Sequence, residues 1–371
     1  MVGLSLLLLV GRDHSYGTAG LAVSGLAVGQ GVTAPLRGRL IDRLSARPVL
    51  LGCLVAYLTV TLLLVLVVRG GGSFAAILAL AAGMGASAPP VAVMMRSVWH
   101  RGTTGGSTDG SRGSPRDMGR LASAMALDSS MMGAALITGP VLASLLSLSV
   151  SPIAPFVVVA LVTAAAVGLL INSANPPPRS ARAGHWLGPL TSAPLRRLLV
   201  ADALFVMAVT AVDVVLPIYA REYHAAGFTG LYLGFLSVGS VLGSLALGAA
   251  PNLLSRGPKI SVLLCVFAAG TGALTLATAV SPLAVLMVCP LAGLVIGCAF
   301  ATLRTTGGDL APEGRVTETM SWLSSFDMVG GAVGAAVFAY IAADEGSRAA
   351  LLLVPVVVLL AAVTGWNTRK P

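Results

Sequence analysis

The chain has 371 residues, 56% of them apolar and only 10% charged, and a formal net charge of +9. Soluble domains carry about 25% charged residues, so a water-exposed globule is excluded and lipid must be the main solvent. The positive charge does not indicate nucleic acid, because its placement along the chain follows membrane topology.

A helix needs roughly 20 apolar residues to cross the hydrocarbon core. The chain opens on a shorter apolar piece, 1–10, without the basic n-region or small-residue cleavage site of a signal peptide. Full-length apolar runs follow at 17–36, 48–68, 74–95, 121–148, 151–172, 198–220, 228–250, 260–280, 282–303, 319–342 and 349–366. Strand-like alternation is not sustained anywhere, which argues against a β-barrel. An all-α polytopic membrane protein is therefore predicted, with eleven full spans and a partial first helix. Polar stretches at 97–120, 173–197 and 304–318 separate the runs. The first is rich in Gly, Ser and Arg and is expected to be flexible. The second contains Pro176-Pro177-Pro178 and reads as a linker, giving an N-terminal bundle at 1–172 and a C-terminal bundle at 198–371.

With the N-terminal fragment counted as helix 1 and starting inside, nineteen of the 23 basic residues fall in inner loops, among them Arg37, Arg39, Arg43, Arg47 and Arg304. Arg12, Arg69, Arg221 and Arg348 fall outside. This is a positive-inside bias, and it places both termini in the cytoplasm.

The halves resemble each other. Gly20–Gly29 aligns with Gly230–Gly239 at an offset of 210, with five of ten positions identical. Arg120, Met125, Ser129, Ser130 and Gly139 align with Arg315, Met320, Ser324, Ser325 and Gly334 at an offset of 195. The difference points to extra residues in the 97–120 segment. The first alignment also matches Met1 to Ala211, inside a span. The first helix is therefore expected to be cut short by about half, and the native start to lie upstream.

The loop after the first full span reads Gly38-Arg39-Leu40-Ile41-Asp42-Arg43-Leu44-Ser45-Ala46-Arg47. Glycine permits close backbone packing, and the acid with its arginines can form an ion-paired latch near the end of another helix. This stretch resembles the signature loop between helices 2 and 3 of the major facilitator superfamily, with Ser45 in place of a glycine and the last arginine displaced by Ala46. The resemblance implies two six-helix bundles working by alternating access, with Gly38, Asp42, Arg43 and Arg47 as a cytoplasmic gate. Helix 5 contains Gly139-Pro140 within a stretch similar to the helix-5 pattern of the superfamily's drug:proton antiporters, with Ala and Ser at three glycine positions. In helix 4, Gly83-Met84-Gly85-Ala86-Ser87 resembles the end of an antiporter motif, but Ala79 stands where that motif has an arginine. Pro89-Pro90, just beyond, should open the backbone.

Asp128, Asp202, Asp213 and Asp327 are the ionisable residues of the Asp, Glu, Lys, Arg and His types inside the predicted spans, with no basic residue among them. An intramembrane acid costs roughly 2.5–3.5 kcal/mol on insertion scales, so each is a functional candidate. Asp202 lies near a span start and is expected to snorkel. Asp213, Asp327 and Asp128 are the transport and coupling candidates; Asp128 and Asp327 occupy helices paired by the repeat.

The four cysteines (Cys53, Cys265, Cys289, Cys298) lie in apolar runs without metal spacing, and no histidine lies in a predicted span. No catalytic constellation or cofactor motif is present in the sequence, so no enzyme activity, cofactor or metal is expected. The reading is secondary efflux of a small amphipathic compound by a monomer in the plasma membrane, with lipid and protons as further partners. Proton-independent metabolite transport and a non-transporting relative stand as alternatives. Sparse lysine with abundant Arg, Ala and Gly fits a GC-rich bacterial genome.

Overall fold

The computed structural model describes residues 2–13, 16–104, 115–173, 188–249, 259–312 and 314–366. These form helices α1 (Val2–Asp13), α2 (Tyr16–Arg43), α3 (Ala46–Arg69), α4 (Phe74–Ser87), α5 (Val91–Thr104), α6 (Pro115–Ser149), α7 (Ala154–Ser173), α8 (Ala193–Glu222), α9 (Thr229–Ala249), α10 (Lys259–Val280), α11 (Pro282–Asp309), α12 (Val316–Glu345) and α13 (Ser347–Gly365). Among the described residues ten segments are long and apolar enough to cross a membrane, with α4 and α5 counting as one. The 35-residue α6 covers the span expected at 121–148. The centres of the predicted 97–120 and 173–197 segments lie outside the described residues.

The outward surface is lipid-like. Val32, Leu169, Leu276 and Val280 are each more than 70% exposed, and such apolar exteriors do not suit water. Helix ends follow local chemistry. Ser281 caps α11 by accepting the Ala284 N–H at 3.1 Å, with Pro282 at the first helical positions. Gly346, at φ 88°, makes the sharp turn from α12 into α13.

The chain divides into two compact units. One comprises Met1–Val98, Leu136–Gly188 and Pro312–Ser325; the other comprises Trp99–Ala135, Pro189–Ala311 and Phe326–Pro371. In the first, α2 packs closely on α4, and in the second α9 packs closely on α11. The two crossings are built alike. A Cβ on Gly29 would collide with the Ala82 backbone, and one on Gly239 with the Pro290 backbone. Gly85 in turn sits against the carbonyl of Leu26, and Gly293 against that of Leu236. Gly29 pairs with Gly239, and Leu26 with Leu236, at the offset of 210 read from the sequence. Small residues let helices touch backbone to backbone where no hydrophobic force drives them together.

The helices outrun the predicted spans. The signature stretch is mostly helix, since α2 continues to Arg43 and only Leu44 and Ser45 separate it from α3. Arg37 and Arg304, expected in inner loops, are buried inside helices at 6% and 2% exposure. The expectation that no basic residue accompanies the intramembrane acids is thereby corrected.

Arg37 has a clear task. Pro89 and Pro90 lack the N–H groups that would bond the carbonyls of Gly85 and Ala86, and the helix breaks after Ser87. Thr33 donates to the Ala86 carbonyl at 3.2 Å. Arg37 donates to Ala88 and Gly85 through Nη1 and to Gln30 through Nη2. Neighbouring side chains thus satisfy the backbone groups the prolines release. Arg37→Met should take the side-chain donor from the Ala88 carbonyl, while Ala86 keeps Thr33 and Gly85 keeps the Ala88 N–H, and lower stability by about 1–3 kcal/mol, the cost of one unsatisfied buried group. Denaturant unfolding in detergent measures it; a loss under about 1 kcal/mol would contradict this account.

Candidate functional site

The first cluster joins the end of α2 to the start of α12. Gly38 and Asp42 lie one turn apart on α2, so they share a face. Gly38 meets Thr317 and Ser321 so closely that a Cβ would collide with both. Asp42, 4% exposed, accepts the Glu318 backbone N–H through Oδ2 at 2.7 Å. Glu318 lies in the first turn of α12, whose unpaired N–H groups and positive dipole end favour a carboxylate. Arg315 lies 3.6 Å from the Glu318 carboxylate, with Arg39 and Arg43 within electrostatic reach. Arg43 itself is exposed, and Arg47 donates elsewhere, to the Ile171 carbonyl at 3.2 Å. The contact is therefore a carboxylate on a helix N-terminus, beside a glutamate on which three arginines act. Higher on the same pair of helices, Ser325 Oγ donates to the Gly31 carbonyl at 2.6 Å.

A counterpart lies in the other unit, between α6 and α9. Ser130 Oγ, paired with Ser325 by the repeat, lies 2.6 Å from Ser244 Oγ. Gly248, at offset 210 from Gly38, packs against Ala126 and Ser123, and Ser123 donates to its carbonyl at 2.8 Å. The repeat reaches down to single contacts.

The second cluster is electrostatic and lies wholly in the second unit. Arg304 on α11 donates through Nη2 to Asp327 on α12 and sits 5.6 Å over the Phe300 ring. The charges of Asp202 on α8 and Asp128 on α6 also act on it. Asp202 is fully buried, so the expectation that it snorkels is corrected. Gly330 brings α12 onto α8: a Cβ there would strike the Ala203 backbone, so Asp327 and Asp202 are carried on closely packed helices. One acid thus pairs directly with the guanidinium, and two more act on it through their charge.

Asp213 stands apart. It is exposed on α8, 11 residues beyond Asp202, about 16 Å along the helix at 1.5 Å per residue. No hydrogen bond or ion pair joins it to another described residue. Of the three predicted coupling residues the structure therefore gathers Asp327 and Asp128 with the unpredicted Arg304 and Asp202, and leaves Asp213 separate. Gly139 is buried within α6, and the Pro140 side chain lies outside the described residues. On α4, Ala79 is exposed, and a basic group reaches the Gly83–Ser87 stretch from α2 as Arg37. His100, 5% exposed near the end of α5, lies 3.1 Å from Asp309 at the end of α11. Among the described residues no three His, Cys, Asp or Glu side chains gather as a metal site would require.

A family profile described as Major Facilitator Superfamily matches residues 1–335. No curated protein sequence matches the chain. Several solved structures share its fold. The human organic anion transporter MFSD10 (TETRAN) superposes with a TM-score of 0.72 at 18% identity, covering 98% of this chain and 97% of its own. The Escherichia coli fucose:proton symporter FucP gives 0.72 at 17%, covering 100% and 95%. A bacterial homologue of the iron transporter ferroportin, in an outward-facing state, gives 0.73 at 16%, covering 99% and 98%.

Proposed function

From its membership of the major facilitator superfamily, a family of multi-pass secondary transporters of small molecules rather than enzymes, we propose that this chain exports small amphipathic compounds in exchange for protons. It works as a monomer in a bacterial plasma membrane, with both termini cytoplasmic. The moving bodies are the repeated halves, 1–172 and 198–371, joined by 173–197. Alternating access opens and closes the cytoplasmic latch made by Gly38 and Asp42 against the start of α12. Arg43 and Arg47 border it.

The observation that carries the coupling assignment is the buried Arg304–Asp327 ion pair, on which the charges of Asp202 and Asp128 also act. One guanidinium neutralises one carboxylate, and Asp327 is its direct partner. A carboxylate of this cluster can hold a proton or a cationic substrate in apolar surroundings. Asp327 and Asp128 act in that exchange, and Asp213 extends the acidic path along α8.

A specific residue favours a second reading. Ala79 replaces the arginine that the antiporter motif carries on helix 4, which supports export or uptake of a neutral metabolite without proton coupling. Flux of a panel of lipophilic cations and neutral metabolites into reconstituted vesicles, with and without a pH gradient, separates the two. The first reading requires cation flux that rises at least severalfold with the gradient. Flux indifferent to the gradient supports the second, and no flux of any compound rejects both.

Asp213→Asn should reduce gradient-driven flux several-fold while leaving expression and unfolding midpoint unchanged, because the side chain is exposed and unpaired with other described residues. Unaltered flux would remove Asp213 from the path.

A further inference from the structure

At the end of the second unit where α8 begins and α13 finishes, Arg196, Arg197, Val200, Val363 and Thr364 line a cleft of about 440 Å³. The arginines are the fourth and fifth residues of α8 and are exposed. Arg196 is held in place: its Nη1 donates to the carbonyls of Leu190 at 3.0 Å and Thr191 at 3.3 Å. Val200, 43% exposed, lies one turn inward from both. Val363, 73% exposed, faces the cleft from α13, and Trp366, 60% exposed, follows at the helix end. Ser192, at the N-cap of α8, makes no side-chain capping bond, so the positive dipole end of this 30-residue helix adds to the two guanidinium charges.

The order of these groups along the membrane normal is informative. Both helices are long and apolar enough to span. The arginines and the tryptophan mark the headgroup level, where basic and aromatic side chains anchor helix ends. The valines one turn deeper stand at the depth of acyl chains. Two basic side chains above an apolar wall match a molecule with negative charge at one end and hydrocarbon at the other. A zwitterionic lipid fits worse, because its own cation would face the arginines.

We infer that this cleft binds an anionic phospholipid, its phosphate on Arg196 and Arg197 and an acyl chain along Val200 and Val363. The inference rests on α8 and α13 spanning the bilayer and not on the substrate or coupling assigned above, so the two fail independently.

The test titrates phosphatidylglycerol or phosphatidylcholine into the detergent-solubilised full chain and reads bound lipid by native mass spectrometry. Phosphatidylglycerol is expected to bind at least tenfold tighter. Each basic residue near a membrane surface contributes about a factor of five, so R196Q/R197Q should weaken phosphatidylglycerol by about thirtyfold and leave phosphatidylcholine unaltered. R196K/R197K should retain most of the preference. Should the glutamine variant lose its fold with the Arg196 bonds, R197E keeps those bonds and should still abolish the preference. Equal binding of the two lipids to the unmodified chain would overturn the inference. So would an undiminished preference in R197E, or an equal loss from R69Q at a distant helix end.

Discussion

Arg304→Gln should destabilise the protein by about 3–5 kcal/mol, the cost of breaking a buried ion pair by removing one partner. Arg304 is 2% exposed, and its removal leaves Asp327, Asp202 and Asp128 without the cation on which all three act. Asp327→Asn should be milder, about 1.5–3 kcal/mol for one charge-assisted hydrogen bond, because Asp202 and Asp128 still face the guanidinium. Transport should show the reverse order of severity for folded protein. If Asp327 carries the exchanged proton, its asparagine variant folds yet loses gradient-driven flux at least tenfold, since an amide cannot release a proton. Unfolding curves in detergent and flux in vesicles read the two effects separately. Equal stability of Arg304→Gln and the parent would show that the cluster is well solvated, and undiminished flux in Asp327→Asn would take that residue out of the exchange.

Gly38→Ala should force the latch apart. Its new Cβ would stand 2.8 Å from both the Ser321 Cβ and the Thr317 carbonyl oxygen, and neither backbone nor a buried serine gives way cheaply. Overpacking of this kind costs about 1–3 kcal/mol, a shift of roughly 5- to 150-fold toward whichever conformation separates α2 from α12. Asp42→Asn should act in the same direction by a different route. The side chain keeps its shape but loses the charge that favours a helix N-terminus, a change of about 1–2 kcal/mol. Ser325→Cys, in a chain lacking the four native cysteines, reports the opening, because Ser325 is 7% exposed and bonded to Gly31 while the helices touch. Maleimide labelling should accelerate at least tenfold in Gly38→Ala and several-fold in Asp42→Asn. Labelling at the parent rate in both would show that this contact does not control access.

Hydropathy made the spans readable because lipid imposes a length and a polarity on every segment that crosses it. The same measure hid their ends. Past position 303, α11 runs through Arg304, Thr305, Thr306, Gly307, Gly308 and Asp309, residues that average out as polar and so resemble a loop. The arginine survives there only because acids from other helices meet it, information no local window contains. Asp202 was misread for the same reason: depth along its own helix suggested water, whereas neighbouring helices bury it. Arg37 needed a further step, since its partners are carbonyls freed by prolines some 50 positions away. The double proline was legible as a break; which side chain would fill it was not. The duplication was legible, and the matched serines Ser130 and Ser325 make matching contacts, because positions where helices must touch tolerate few residue types.

The backbone-to-backbone crossings at Gly29 with Ala82 and Gly239 with Pro290 constrain how this transporter can be diversified. A library randomising α2, α4, α9 and α11 would return almost nothing but glycine at 29 and 239, whatever selection is applied. Variation aimed at new cargo should therefore be spent on other helix faces, with these points of contact left untouched.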